Sequence, residues 1–130
     1  MKTADSVKRI LIVEDEPDII KVLKLRLNIE KFDVISALDG AEGYAAFWQQ
    51  KPDLLILDLN LPKINGHEVC RRIREDMKDK TPIIMLTAED GELKKIIGRL
   101  EGADKYMTKP FDMDELIAEV KRLINRSETE

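Results

Sequence analysis

One cysteine and one histidine are all that this chain of 130 residues offers a soft metal ion or a redox couple. Cys70 alone excludes an internal disulfide framework and a cysteine-based zinc site. His67 follows Gly66 at the start of a helical pattern, with no second histidine or cysteine near it, and reads as a solvated side chain rather than a ligand or phosphodonor. No apolar run approaches the ~20 residues of a membrane-spanning helix. Met1-Lys2-Thr3-Ala4-Asp5-Ser6 has none of the apolar core of a secretion signal, so a cytoplasmic protein is expected. Nor does charge of one sign dominate. With 22 Lys and Arg against 26 Asp and Glu, the net charge of −4 gives no electrostatic reason to hold nucleic acid or an anionic membrane. Internal repeats, low-complexity segments and interdomain linkers are missing too, which leaves one domain, 1–130, with a core of about 9–125 and a polar tail, 126–130, expected to fray.

Hydrophobic residues make up 43% and charged residues 37%, the balance of a globular chain large enough to bury a core without disulfides. Apolar runs of strand length fall at 9–13, 33–36, 54–57, 83–86 and 105–107. Ile10-Leu11-Ile12-Val13 has no polar alternation, as suits a parallel strand covered on both faces. Between the runs, apolar residues recur at helical spacing. Ile20, Leu23 and Leu27 follow Pro17, which is placed for a first helical turn. Tyr44, Ala45 and Trp48 form a shorter stripe, and Tyr44 and Trp48 are expected to pack against the sheet. Val69, Ile73 and Met77 make a third stripe, with Cys70 beside it as a small core residue. Leu93, Ile96, Ile97 and Leu100 make a fourth, closed by Gly102. Leu116, Ile117, Val120, Leu123 and Ile124 form the last, preceded by Asp112 and Glu115 in capping-box spacing. Arg71-Arg72 and Lys94-Lys95 read as solvated helix faces. Five βα units in succession predict a doubly wound α/β fold.

An open parallel sheet gathers the carboxyl ends of its strands at one crevice, where ligands bind. The strand-like runs here end at Glu14-Asp15, Asp58, Thr87 and Lys109. By themselves Glu14 and Asp15 are equally well explained as a solvated loop. Crowded beside Asp58 they would repel one another, and a hard divalent cation such as Mg²⁺ resolves that repulsion. A strand-end carboxylate can attack phosphorus and form an acyl phosphate, which makes Asp58 the candidate nucleophile. Lys109 would supply a cation and Thr87 a hydroxyl for the phosphoryl oxygens. A backbone carbonyl near Asn60, in the turn-rich loop from Leu59 to Gly66, is within reach of a metal at Asp58. Lys109-Pro110 is consistent with a cis peptide aiming the lysine inward. Glu16 and Asp18 suit the N-terminal dipole of the first helix.

Taken together, Glu14-Asp15, Asp58 with Leu61-Pro62 and Asn65-Gly66, Thr87-Ala88, Gly102-Ala103-Asp104 and Lys109-Pro110-Phe111 resemble the response-regulator receiver domain of two-component signalling, over about 9–125. The resemblance implies a flavodoxin-like sheet in strand order 2-1-3-4-5 and phosphoryl transfer to Asp58 from a sensor histidine kinase or phosphotransfer protein. It implies Mg²⁺ on the side chains of Asp15 and Asp58 and the carbonyl of Asn60, with Glu14 acting mostly through water. Thr87 and Lys109 would hold phosphoryl oxygens. Thr87 and Tyr106 would form a switch toward the face of the fourth helix, fifth strand and fifth helix, which meets a downstream effector or output domain. Asn60 and Glu89 would tune phosphoryl lifetime, toward a labile state. Such a domain assists its own phosphorylation and dephosphorylation without being a turnover enzyme. DNA-binding relatives usually carry Asp at the Lys105 position and Arg at the Glu119 position; with both signs inverted, a monomer is expected, with any phosphorylation-dependent dimer selective for itself.

Two other classes share parts of this pattern. A haloacid-dehalogenase-type phosphohydrolase needs an aspartate two residues beyond its nucleophile, where this chain has Asn60. A flavodoxin-like flavin carrier needs a first loop that welcomes phosphate, which Glu14-Asp15-Glu16 would repel. A degenerate receiver acting purely as a binding module would be missing site residues that are all present here.

Overall fold

The computed structural model describes residues 6–88 and 102–129. Glu89, Lys94-Lys95 and the 93–100 stripe lie outside the described residues. Strands β1 (Arg9–Val13), β2 (Asp33–Ala37), β3 (Leu54–Asp58), β4 (Ile83–Thr87) and β5 (Lys105–Thr108) form one sheet in the order β2-β1-β3-β4-β5, as expected. Every adjacent pair is parallel, and β3 and β4 are buried throughout.

Helices α1 (Pro17–Ile29), α2 (Gly40–Gln50) and α3 (Gly66–Arg71) and the C-terminal helix (Met113–Thr129) cover the sheet's two faces. Alternation along the strands sorts the core into two clusters. Ile10, Ile12, Leu54, Ile56, Ile84 and Leu86 meet α1 and the C-terminal helix through Leu23, Leu27, Leu116, Val120 and Leu123. Leu11, Val13, Leu55, Leu57, Ile83 and Met85 meet α2 and α3 through Phe47, Val69, Cys70 and Ile73. Fully burying one such aliphatic side chain contributes ~1.5–3 kcal/mol.

Helix starts follow local chemistry. Pro17 opens α1, where no amide hydrogen bond is lost. The Asp39 and Asn65 carboxylate and amide oxygens accept from the backbone N–H of Glu42 (2.8 Å) and Glu68 (3.0 Å), capping α2 and α3. Asp112 likewise accepts from Glu115 N at 3.0 Å, as its spacing predicted.

Three expectations change. Trp48 is 62% exposed, and the buried face of α2 is Gly40, Gly43 and Phe47. Gly43 lies so close to β1 that a Cβ there would stand 2.6 Å from Val13 Cγ1, so a residue without a side chain holds the inward position. Arg71 and Arg72 do not present free charge: both bind the Glu68 carboxylate, at 2.7 and 2.9 Å, and hold its pKa well below the usual carboxylate range, at about 2. The C-terminal helix runs through the polar 126–129 segment, where no Gly or Pro interrupts it. The i, i+4, i+8 stripe of Val69, Ile73 and Met77 has its own device. It drifts around an ideal α-helix, and the chain widens to a π-turn over Arg72–Asp76, with Met77 N–H bonded to Arg72 O at 2.9 Å.

Candidate functional site

Parallel register brings the strand ends level. Val13 pairs with Leu57, so Glu14 and Asp58 emerge side by side. Asp58 pairs with Leu86 and Thr87 with Thr108, which sets Thr87 and Lys109 at the same rim. Backbone bonds continue past the strands and fix that rim: Glu14 N to Ala37 O (3.1 Å), Leu59 N to Leu86 O (2.8 Å) and Lys109 N to Thr87 O (2.7 Å).

Lys109 is the hub. Its ammonium lies 2.9 Å from Glu14 Oε1, 3.3 Å from Asp58 Oδ2 and 3.5 Å from Glu16 Oε1. The Glu14 contact is short but poorly aligned as a hydrogen bond, so it acts chiefly as an ion pair. The Lys109–Pro110 bond is cis. Glu14 is fully buried and Asp58 nearly so, while Asp15 and Glu16 face solvent. One carboxylate of the Glu14-Asp15 pair is therefore anything but a solvated loop residue.

Burial pushes the Glu14 carboxyl above its usual range, and the nearby Asp58 charge adds to this against the pull of Lys109. Lys109 is raised as well: burial disfavours its charge, but Glu14 and Asp58 more than offset that. Asp58 Oδ1 also accepts from the Asn60 N–H at 3.1 Å. Glu14 Oε2 accepts from Glu16 N–H at 3.1 Å, which turns the acidic run back on itself.

Side-chain oxygens of Glu14, Asp15 and Glu16 lie within 4.8 Å of one another, and Asp58 is joined to them through the shared Lys109 ammonium. Three carboxylates, Glu14, Glu16 and Asp58, thus share one lysine, and Asp15 stands beside them. That donor set of hard, anionic oxygens fits Mg²⁺, which prefers one or two carboxylates plus water and a phosphate oxygen. Glu16, read from sequence only as a helix-dipole residue, belongs to this cluster; its place in the unbroken acidic run was the available signal.

Thr87 is fully buried at the end of β4. Tyr106 pairs with Met85, two residues before Thr87, and packs on the α2–α3 side of the sheet. Thr87 and Tyr106 therefore share one face on neighbouring strands. Asn60 is exposed, and Glu89 lies outside the described residues.

The response regulator receiver domain profile matches residues 10–121. The chain is 47% identical over 121 residues to the alkaline phosphatase synthesis transcriptional regulatory protein PhoP of Bacillus subtilis, covering 93% of this chain and 50% of PhoP. It is 44% identical over 119 residues to the transcriptional regulatory protein TrcR of Mycobacterium tuberculosis, covering 92% and 46%. It spans about half the length of these curated relatives. Among solved structures it is similar to the Francisella response regulator 1452 receiver domain, with TM-score 0.88 and 31% identity over 92% of this chain and 98% of that one. A CheY-like receiver domain protein from Methanospirillum hungatei gives TM-score 0.90 and 28% identity over 95% and 98%.

Proposed function

The chain belongs to the response regulator receiver domain family, and from that premise we propose that Asp58 accepts a phosphoryl group from a histidine kinase or phosphotransfer protein. The observation that carries this reading is the buried strand-end carboxylate of Asp58, 3.3 Å from Lys109 and bordered by three more acids. An Asp58 oxygen attacks phosphorus as the bond from phosphorus to the donor nitrogen breaks, giving an acyl phosphate and a free imidazole. Lys109 and the Thr87 hydroxyl neutralise charge developing on the phosphoryl oxygens. Asp15, Asp58 and the Asn60 carbonyl hold Mg²⁺, with Glu14 behind them. Mg²⁺ supplies the positive charge that lets a dianionic phosphoryl group enter an acidic crevice.

Output follows from placement. Thr87 drawn toward the phosphoryl group leaves space on the face it shares with Tyr106, and the ring fills it, so the two packings form a switch. Asn60 and Glu89 set the lifetime of the acyl phosphate, and the domain assists its own dephosphorylation without turning over a free substrate. The signal passes to an effector or output domain in the cytoplasm. Among the described residues no helix is long and apolar enough to cross a membrane. Lys105 and Glu119 keep the unphosphorylated chain monomeric and any activated dimer selective for itself; Glu119 here is paired with Arg122.

The donor protein meets α1. Val22, Leu25 and Ile29 are 50–63% exposed at i, i+3, i+7, on the side opposite Ile20, Leu23 and Leu27. Val22, Ile19, Phe111, Pro110 and Met113 line an apolar groove of about 350 Å³ that reaches Lys109. An apolar helix face continuous with the phosphoacceptor crevice suits a helical donor.

Incubation with a small phosphodonor and Mg²⁺, read by intact mass, should add one phosphoryl group to the wild type and none to Asp58→Asn. Undiminished labelling of the variant would remove Asp58 as acceptor, and multiple turnover of organic phosphates would make the protein a hydrolase.

A further inference from the structure

The loop that follows Asp58 is held from outside its own strands. At its far end Gly66 N–H donates to Leu59 O at 2.9 Å, and a Cβ on Gly66 would stand 2.4 Å from Asp58 O. In its middle the loop lies against the start of α2. Gly40 N–H donates to Pro62 O at 3.2 Å, and a Cβ on Gly40 would stand 1.6 Å from Ile64 O. Lys63 adopts a left-handed backbone, φ 69°, and its ammonium lies 3.5 Å from Asp39 Oδ2. The other Asp39 oxygen caps α2 through Glu42 N–H. Leu59 and Leu61 are buried, so the loop cannot drift outward without exposing apolar surface.

We propose that Asp39 and Gly40 are positioning residues for phosphoacceptor chemistry, acting through the 59–65 loop on the backbone of Asn60. This rests on the reading of Asp58 as phosphoacceptor. The two-residue path is explicit. Gly40 holds the Pro62 carbonyl and leaves room for that of Ile64; Gly66 holds Leu59 O; Asn60 lies between these anchors, its N–H on Asp58 Oδ1 and its carbonyl in the same peptide run. A carbonyl passing directly over the Gly40 Cα is a contact only glycine permits. Packing alone would account for a glycine here and for a loss of stability on substitution, but it would not predict that the site's affinity and rate fall with Gly40 and not with a strained glycine elsewhere in the fold.

The test compares Gly40→Ala with Gly102→Ala. Gly102 sits at the opposite end of the sheet with φ +94°, where a side chain is strained and would meet Arg74, so its substitution costs stability far from Asp58. Each purified protein is titrated with Mg²⁺ by calorimetry, labelled with acetyl phosphate, and melted. Gly40→Ala should bind Mg²⁺ and take up the phosphoryl group each roughly tenfold less well than wild type, the scale of lost second-layer support or a misplaced group. Gly102→Ala should melt lower with both quantities at wild-type values. Unchanged affinity and rate in Gly40→Ala, or equal losses in both variants, would overturn the proposal. If Gly40→Ala does not fold, Asp39→Ser decides: it keeps a capping oxygen and loses the carboxylate facing Lys63, and should weaken Mg²⁺ by roughly threefold; no change overturns the proposal. A wild type that takes no phosphoryl group rejects the phosphoacceptor reading itself, and the Mg²⁺ arm still separates the variants.

Discussion

The two ends of this sheet carry the same kinds of charged residue and treat them in opposite ways. At the amino end, among the described residues, Asp33, Asp53 and Asp104 each have a matched partner. Asp104 Oδ2 accepts from Ile83 N–H (2.9 Å) and from Arg74 (3.0 Å), while Oδ1 accepts from Arg126 (2.9 Å). Arg74 spends its other donors on the carbonyls of Gly102 and Asp79, each at 2.9 Å. Asp53 accepts from Arg9 N–H at 2.8 Å, and Asp33 from the Arg9 guanidinium at 2.7 Å. At the carboxyl end, among the described residues, Glu14, Glu16 and Asp58 share the Lys109 ammonium and Asp15 lies beside them. The first arrangement stabilises the fold. The second leaves negative charge unneutralised, which is the condition for taking up a cation and, with it, a phosphoryl group.

Substitution at the amino end should therefore cost stability and spare binding. Asp104→Ala strands Arg74 and the Ile83 N–H in a half-buried setting, where removing one partner of such a pair costs ~3 kcal/mol. That corresponds to a fall of roughly 10 °C in thermal midpoint for a domain of this size. Mg²⁺ affinity should not change, and a parallel loss of affinity would break the division between the ends.

The reverse is expected of Asp15→Ala. Asp15 is exposed and, among the described residues, makes no ion pair while standing beside Glu14 and Glu16, so the metal-free protein should melt no lower than wild type. Its Mg²⁺ affinity should fall roughly tenfold or more, about 1.4 kcal/mol or beyond. Mn²⁺ relaxation or calorimetry checks this, and equal affinity in the two proteins would remove Asp15 from the site.

Glu14 sharpens the contrast through pH. Its folded-state acidity is weakened by burial and by Asp58, so the folded protein holds a proton there that the unfolded chain releases. From its ordinary value of 4.5 up to its raised folded value, the folded state binds more protons, and stability falls as pH rises. Metal-free wild type should thus gain thermal midpoint on acidification toward 4.5, relative to Glu14→Gln, in which that slope is flattened. Saturating Mg²⁺ should abolish the difference, because a bound cation stabilises the ionised form. Glu68 works in a separate window: its acidity is strengthened by Arg71 and Arg72 to about 2, so its contribution is present above 4.5 and is lost only as pH falls toward that value.

Much of this was legible in the sequence because parallel strands advertise themselves. Uninterrupted runs such as Leu54-Leu55-Ile56-Leu57 suit only a sheet covered on both sides, and each run ends in a polar residue that the register then brings to one rim. The α2 face was misread because its inward residues include two glycines, which carry no hydropathy signal; their role is set by Val13 and Ile64, distant in sequence. Asp104 was legible only as part of a family-like motif, since Arg74 and Arg126 lie 30 and 22 residues away. Arg71 and Arg72 looked solvated because a pattern of charges does not reveal that one carboxylate, Glu68, binds both.

The smallest effect separates two lysines with the same backbone strain. Lys51 closes α2 at φ 48°, ψ 64°, donating to Phe47 O at 3.0 Å, and Lys63 stands at φ 69° in the loop after Asp58. A left-handed backbone costs a residue with a side chain ~1–2 kcal/mol relative to glycine. Glycine gives back ~0.5–1 kcal/mol through its greater freedom in the unfolded chain. At the end of α2 it also gives up the lysine's attraction to the helix dipole, ~0.3 kcal/mol where exposed. Lys51→Gly should therefore stabilise by roughly 0.5 kcal/mol, or about 2 °C, with no effect on Mg²⁺. Lys63→Gly relieves the same strain but releases the loop from Asp39, so its midpoint should stay within about 1 °C of wild type while Mg²⁺ binds more weakly. Matched gains in both variants, with Mg²⁺ affinity untouched in each, would show that the lysine beside Asp39 is no more than a strained turn residue, and the two ends of the sheet would differ only in their carboxylates.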